Sequence, residues 1–334
     1  MEKEKNVEIN TIPRLFWDSV VNKSNKIAMR EKHLGIWQST TWKKYGSFAK
    51  KTGLALHTLG LRKGEVVSIA SEGIPEWLFT DMATIAVGGI SSGVYTTDSA
   101  AQVKYLINDS KTKFYFAENE EQLDKILEVR DECPSLEKII VYDMEGLHSF
   151  EDEQVISYEE FIKLGEQLDE EKPDLWLNLL NDVKSDDIAI LVYTSGTTGP
   201  SKGAMISNKN LMYSVNIGLD IFQPKENEEQ LSFLPLCHIL ERSASVMFPL
   251  KSGAVVNLVD PQKDEFILDA CAAPGTKSLL MAQKVGVNGK IYAYDINQSR
   301  GSQGKKDILR HNYKNIDWHV ADASNDDYPI FSLI

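Results

Sequence analysis

The chain has 334 residues, 42% hydrophobic and 25% charged, with 36 Lys and Arg against 49 Asp and Glu and a net charge of −13. These are globular values, which exclude disordered, collagenous and fibrous classes, and the length fits about two domains. An acidic chain lacks the broad basic surface that supplies most nucleic-acid affinity, and Cys133, Cys237 and Cys271 are too widely spaced for a disulfide framework or a structural zinc.

No apolar run reaches the ~18 residues of a membrane span, and the opening MEKEK lacks the apolar core of a signal peptide. A cytoplasmic protein is expected, with peripheral membrane contact left open.

Up to about Thr41 the pattern mixes Pro13, Trp17 and Trp37 with charges and gives no assignment. Phe48, Leu54, Leu56 and Leu59 then recur at helical spacing over Tyr45 to Leu59. Arg62 to Glu65 is a turn, and Val66 to Ala70 reads as a buried strand. Pro75 can open a helix through Trp77, Leu78, Met82 and Ile85 that stops at Gly88-Gly89. A helix from Ala101, a strand at Phe114 to Phe116, an amphipathic helix over Gln122 to Val129 and a strand at Ile139 to Tyr142 follow. Strands alternating with helices predict a parallel sheet covered on both faces. The acidic stretch from Phe150 to Asp187 is expected as a pair of solvated surface helices.

Ile188 to Tyr193 is an unbroken apolar run, which suits a central parallel strand. It leads directly into Thr194-Ser195-Gly196-Thr197-Thr198-Gly199-Pro200-Ser201-Lys202-Gly203, with a helix starting near Ser207 or Asn208 after a short link through Met205 and Ile206. Hydroxyls, glycine-freed N–H groups and one lysine suit a polyphosphate, because donors surround the oxygens while the ammonium offsets charge. The spacing is not that of a Walker A loop, since Ser201 and Gly203 fall where Gly and Ser or Thr are required.

YTSGTTGPSKGA resembles the phosphate-loop signature of the AMP-forming acyl-CoA synthetases and adenylating enzymes, with Ser201 where proline is commoner. LGLRKGEVVSIASEGIPEWLFTDMATIAVGG, AAQVKYLINDSKTKFYFAEN and LSFLPLCHILERSASVMFPLKSGAVVNLV extend the resemblance, the last especially toward long-chain fatty acyl-CoA ligases. It covers about Thr11 to Val259. The resemblance implies ATP phosphates at Thr194, Ser195, Gly196, Thr197, Thr198, Gly199 and Lys202, with Mg²⁺, and fatty acid and CoA as further small-molecule partners. It also implies an acyl-pocket or carboxylate-positioning role at His238. The residues alone favour a structural histidine at a strand end.

Beyond Asp260-Pro261 the pattern changes. Phe266 to Ala270 reads as a strand, Cys271 to Lys277 as a tight loop, and Ser278 as the cap of a helix through Met281. After the Asn288-Gly289 turn, Ile291 to Ile296 is a second strand carrying Asp295, and a strand at Asp317 to Val320 leads to Asp322. An acid ending the second strand can accept both hydroxyls of a ribose. DACAAPGTKS resembles the first motif of the Sun/Fmu-type RNA cytosine-5 methyltransferases, with Thr276 in place of a second glycine. The resemblance implies S-adenosylmethionine at Cys271, Ala272, Ala273, Pro274, Gly275, Thr276, Lys277, Asp295 and Asp322, and RNA as a partner if the segment functions. Cys271 is expected to pack under the loop rather than act as a nucleophile.

The expected architecture is therefore α/β: an incomplete acyl-CoA synthetase N-terminal domain over 1–260, then a partial Rossmann-like methyltransferase βαβαβ unit over 261–334. No protein metal site and no catalytic residue are assigned. Both resemblances stop short of their families' catalytic motifs, so a catalytically incomplete fusion or truncation product is expected.

Overall fold

The computed structural model describes residues 9–33, 36–194, 200–223, 228–259, 263–269, 272, 276–295, 305–306, 308, 310 and 313–321. The chain divides into two compact units, Met1–Leu258 and Val259–Ile334.

The first unit begins with α1 (Ile12–Asn22), β1 (Ile27–His33), β2 (Ile36–Thr41), α2 (Trp42–Thr58), β3 (Val66–Ala70), α3 (Pro75–Ala86) and β4 (Ile90–Val94). It continues through α4 (Ala100–Ser110), β5 (Thr112–Ala117), α5 (Glu120–Leu127), β6 (Lys138–Val141), β7 (Val155–Ser157), α6 (Tyr158–Glu171) and α7 (Leu175–Asp182). Then come β8 (Ile188–Thr194), β9 (Lys202–Ser207), α8 (Asn208–Phe222), β10 (Glu229–Ser232), the short α9 (Ile239–Glu241), a π-helical turn Arg242–Met247, α10 (Phe248–Ser252) and β11 (Val255–Leu258).

Seven strands form one sheet in the order β7-β6-β5-β3-β4-β8-β9. All its pairings are parallel except β8 with the edge strand β9. Every residue of β3, VVSIA, is buried, as a strand covered on both faces requires. A second sheet of four strands runs β10-β11-β1-β2, with β1 parallel to β11 and antiparallel to β2.

Local signals explain the helix boundaries. Pro75 sits in the first turn of α3, where its missing N–H costs nothing, and Gly88 leaves that helix at φ +83°. α4, α6 and α8 open on capping boxes built from Ser99 with Gln102, Ser157 with Glu160 and Ser207 with Asn210. In the acidic segment the charges do face outward, but the helices are amphipathic: Phe161 of α6 and Trp176 of α7 are fully buried. The Trp176 ring meets Trp17 edge-on at 5.6 Å.

Two regions depart from the expectations. The unassigned N-terminal stretch forms α1, β1 and β2, and β1 finds its parallel partner in β11, more than two hundred residues away. The link through Met205 and Ile206 is strand β9, so β8 is the last parallel strand, with an antiparallel edge beyond it.

The second unit holds β12 (Phe266–Asp269), α11 (Thr276–Val285), β13 (Lys290–Tyr294) and β14 (Ile316–His319), a parallel sheet in the order β12-β13-β14. Ser278 is not the cap of α11, which starts two residues earlier; its buried hydroxyl instead donates to the Asp269 carboxylate at 2.7 Å.

Candidate functional site: the carboxyl ends of β4 and β8

After a register shift between Ile188 and Ile190, the β8–β9 hairpin keeps register from Ile190 opposite Ile206 out to Thr194 opposite Lys202. The hydroxyl and the ammonium expected to hold phosphates therefore face each other where the two strands part. Both residues are exposed. Ser195, Gly196, Thr197, Thr198 and Gly199 lie outside the described residues. Because β8 runs parallel to β4, the hairpin mouth opens at the carboxyl edge of the sheet, the edge at which open α/β sheets bind ligands.

Helix α4 braces that mouth on both sides. The Tyr105 hydroxyl donates to the Ser201 carbonyl at 2.8 Å, and the Tyr193 hydroxyl donates to the Asp109 carboxylate at 2.7 Å. Burial, then the Asp109 carboxylate beside it, holds the Tyr193 proton well above the ordinary phenol range. A cavity of about 530 Å³ lies between these elements, lined by Gly93, Tyr95, Asp98, Tyr105, Tyr193 and Ser201 among others.

The segment before His238 seats on β4. A Cβ added to Gly93 would lie 2.6 Å from the Cys237 Cα, so only glycine admits this approach. Burial first, and then the Asp98 carboxylate, push the Cys237 thiol up to about 12. Cys237 is thus a protonated packing group at neutral pH and not a nucleophile. Tyr95, beside it, is also pushed up to about 12, mainly by burial.

His238 itself is exposed. Its Nδ1 accepts the Leu240 N–H at 3.2 Å and its carbonyl accepts the Arg242 N–H at 3.0 Å, so Nε2 is the ring atom available to a ligand. The structure brings the His238 segment and the flanks of the 194–202 loop together at neighbouring strand ends, since Gly93 touches Cys237 and shares the cavity with Tyr193 and Ser201.

Arg242 and Asp81, both fully buried, form an ion pair that the sequence reading did not single out. The available signal was Glu241-Arg242 inside the largely apolar LPLCHILERSASVMFPL: a buried charge demands a partner.

In the second unit the Ala272 N–H donates to the Tyr294 carbonyl at 2.9 Å, tying the loop after β12 to the end of β13, where Asp295 follows. The Asp295 N–H donates to the His319 carbonyl at 3.1 Å, and the Tyr294 and His319 rings stack at 4.6 Å. Thr276 and Lys277 open α11. Their side chains, and Cys271, Ala273, Pro274, Gly275 and Asp322, lie outside the described residues. Among the described residues, no group of three or more His, Cys, Asp or Glu could hold a metal ion, and no helix is long and apolar enough to cross a membrane.

The family of AMP-binding enzymes matches residues 16–277. The chain belongs to that family. A second family, the 16S rRNA methyltransferases RsmB/F, matches residues 256–331. The chain is similar to the long-chain-fatty-acid–CoA ligase ACSBG1 of Rattus norvegicus, 29% identical over 255 residues that make up 75% of this chain and 35% of the relative. It is 31% identical over 248 residues to ACSBG2 of Homo sapiens, covering 73% of this chain and 36% of that ligase. The chain thus spans about a third of the length of these relatives.

Among solved structures, an anthranilate CoA ligase, AuaEII, in complex with anthranoyl-AMP superposes with a TM-score of 0.65 at 18% identity, covering 86% of this chain and 56% of that one. A putative long-chain-fatty-acid CoA ligase from Rhodopseudomonas palustris gives 0.63 at 14%, covering 89% and 72%. These likenesses show a shared α/β fold.

Proposed function

We propose that the Met1–Leu258 unit binds ATP and a fatty acid as the substrate-holding part of a long-chain fatty acyl-CoA ligase. The observation that carries this reading is the placement of Thr194 opposite Lys202 at the carboxyl edge of the parallel sheet, in a chain of the AMP-binding family. The donor set fits a phosphate chain: hydroxyls of Thr194, Ser195, Thr197 and Thr198, N–H groups at Gly196 and Gly199, and the Lys202 ammonium. Mg²⁺ would arrive with the nucleotide. Bound ATP would supply an adenylyl group: a carboxylate oxygen of the fatty acid attacks the α-phosphorus, pyrophosphate leaves, and the thiol of CoA then takes the acyl group from the acyl adenylate with release of AMP. This chain's own part is to grip the phosphates, offset their charge at Lys202 and present the Nε2 of His238 to the acyl end. Equilibrium dialysis with Mg·ATP tests it. The unaltered chain retains nucleotide, and Lys202→Ala weakens retention about tenfold or more; equal retention by both would overturn the assignment.

A second reading concerns the second unit. The match over 256–331 and the location of Asp295 directly after β13 favour S-adenosylmethionine, with Asp295 on its ribose and Cys271 to Lys277 about its methionine part. RNA is a partner only under this reading. Calorimetric titration with S-adenosylmethionine checks it: binding lost in Asp295→Ala supports the site, and binding unaffected by that change contradicts it.

A further inference from the structure

Arg242 starts the π-helical turn directly after His238–Glu241, and neither it nor Asp81 of α3 is exposed. Its guanidinium grips the Asp81 carboxylate through Nη2 and through Nε at 3.3 Å. The same fork reaches the Ser91 carbonyl of β4 from Nη1 at 3.5 Å and from Nη2 at 3.4 Å. The Trp77 ring of α3 lies 5.1 Å beneath it.

A planar guanidinium can serve a carboxylate, a carbonyl and a ring face at once, whereas an ammonium is a point charge. Through its main chain Arg242 also donates to the His238 carbonyl at 3.0 Å. One residue is therefore fastened by its side chain to α3 and β4 and by its backbone to His238. At the other end the segment is seated by Cys237 on Gly93. π-helical turns interrupt regular winding at a cost and concentrate at functional sites.

We propose that Arg242 is the positioning residue for His238, and that its pairing with Asp81 fixes the ring so that Nδ1 takes the Leu240 N–H and Nε2 is presented to the ligand. The inference rests on His238 being a ligand-contacting residue. A buried ion pair kept only for stability is commonly replaceable by apolar side chains of similar volume without loss. Here such a replacement keeps the fold and loses the ring orientation.

The test uses the full chain, ¹⁵N-labelled, with His238→Gln to assign the His238 ring signals among the six histidines. In the unaltered chain the ring shows one tautomer, protonated at Nε2. The double variant Arg242→Met with Asp81→Leu melts within about 5 °C of the unaltered chain. Its ring signals average between tautomers, and its dissociation constant for oleoyl-sulfamoyl-adenosine rises about tenfold. Arg242→Lys, which keeps the charge but not the fork, shows the same averaging. Unchanged ring signals in either folded variant would overturn the proposal; if the double variant does not fold, Arg242→Lys decides. Failure of the unaltered chain to bind the adenylate analogue would refute the ligand reading of His238, while the ring spectra would still decide whether Arg242 positions it.

Discussion

Asp81 and Arg242 are 161 residues apart in sequence and fully buried together. Removing one partner strands the other charge away from water. Asp81→Ala is therefore expected to lower stability by about 3–5 kcal/mol, read as a shifted urea midpoint. A shift below about 1 kcal/mol would mean that water reaches the guanidinium.

The proton on Cys237 gives a pH signature. The thiol lies at 9.0 in the unfolded chain and at about 12 when folded. Below pH 9 both states hold the proton and it contributes no pH dependence. Between pH 9 and about 12 only the unfolded state releases it, so stability falls as pH rises through that window. Melting temperature measured from pH 8 to 11 should drop more steeply in the unaltered chain than in Cys237→Ser. Parallel curves would show that the thiol ionises freely.

At this scale the loop proposed to hold phosphates stands out in the sequence because Gly, Ser, Thr and Lys crowd one short stretch. Arg242 does not, because its meaning depends on a residue in a distant helix. The thiol of Cys237 was equally silent, since its burial comes from Gly93 on a neighbouring strand.

Among the elements, the contact of α6 with α2 turns on a single residue. A Cβ on Gly165 would lie 2.7 Å from the Lys51 carbonyl carbon and 3.0 Å from the Ala55 nitrogen. Alanine improves helix propensity by about 1 kcal/mol. Backbone atoms cannot rotate away, and overpacking costs about 1–3 kcal/mol, so the clash wins. Gly165→Ala should destabilise the chain in a thermal melt even though the flanking ion pairs Lys50–Asp169 and Lys51–Glu166 remain. A raised melting temperature would show that the helices can separate without loss.

Helix α3, with its proline start and glycine stop, could be read from the chain, as could the start of α8 near Ser207 and the strands β3, β5 and β8 with their continuous apolar runs. Strand β9 could not: KGAMIS alternates poorly, and Met205 is left exposed on an edge. β1 and β2 escaped because IAMREKH carries as many charges as apolar residues and is stabilised by pairing with the far end of the unit.

Across the whole molecule, the AMP-binding match over 16–277 lies mostly in the first compact unit and the RsmB/F match over 256–331 mostly in the second, the two overlapping at 256–277. The ligands of the two units should act on them separately. A ligand at a hundred times its dissociation constant stabilises the unit that binds it by about 2.7 kcal/mol. In scanning calorimetry, oleoyl-sulfamoyl-adenosine should raise the unfolding transition of the first unit and S-adenosylmethionine that of the second. A shift of the same transition by both would contradict separate sites. In the sequence an apolar run ending near Val259 gives way to a new strand–loop–helix order. How the second unit holds Asp295 depends on hydrogen bonds to β14 that no local pattern announces.

The central claim is that the β8–β9 mouth and His238 together form a site for an acyl adenylate. The most direct measurement is a calorimetric titration of the full chain with oleoyl-sulfamoyl-adenosine, repeated with Lys202→Ala and His238→Gln. One equivalent should bind saturably to the unaltered chain, and each substitution should weaken that binding about tenfold or more. Absence of binding, or one affinity shared by all three proteins, would contradict the claim.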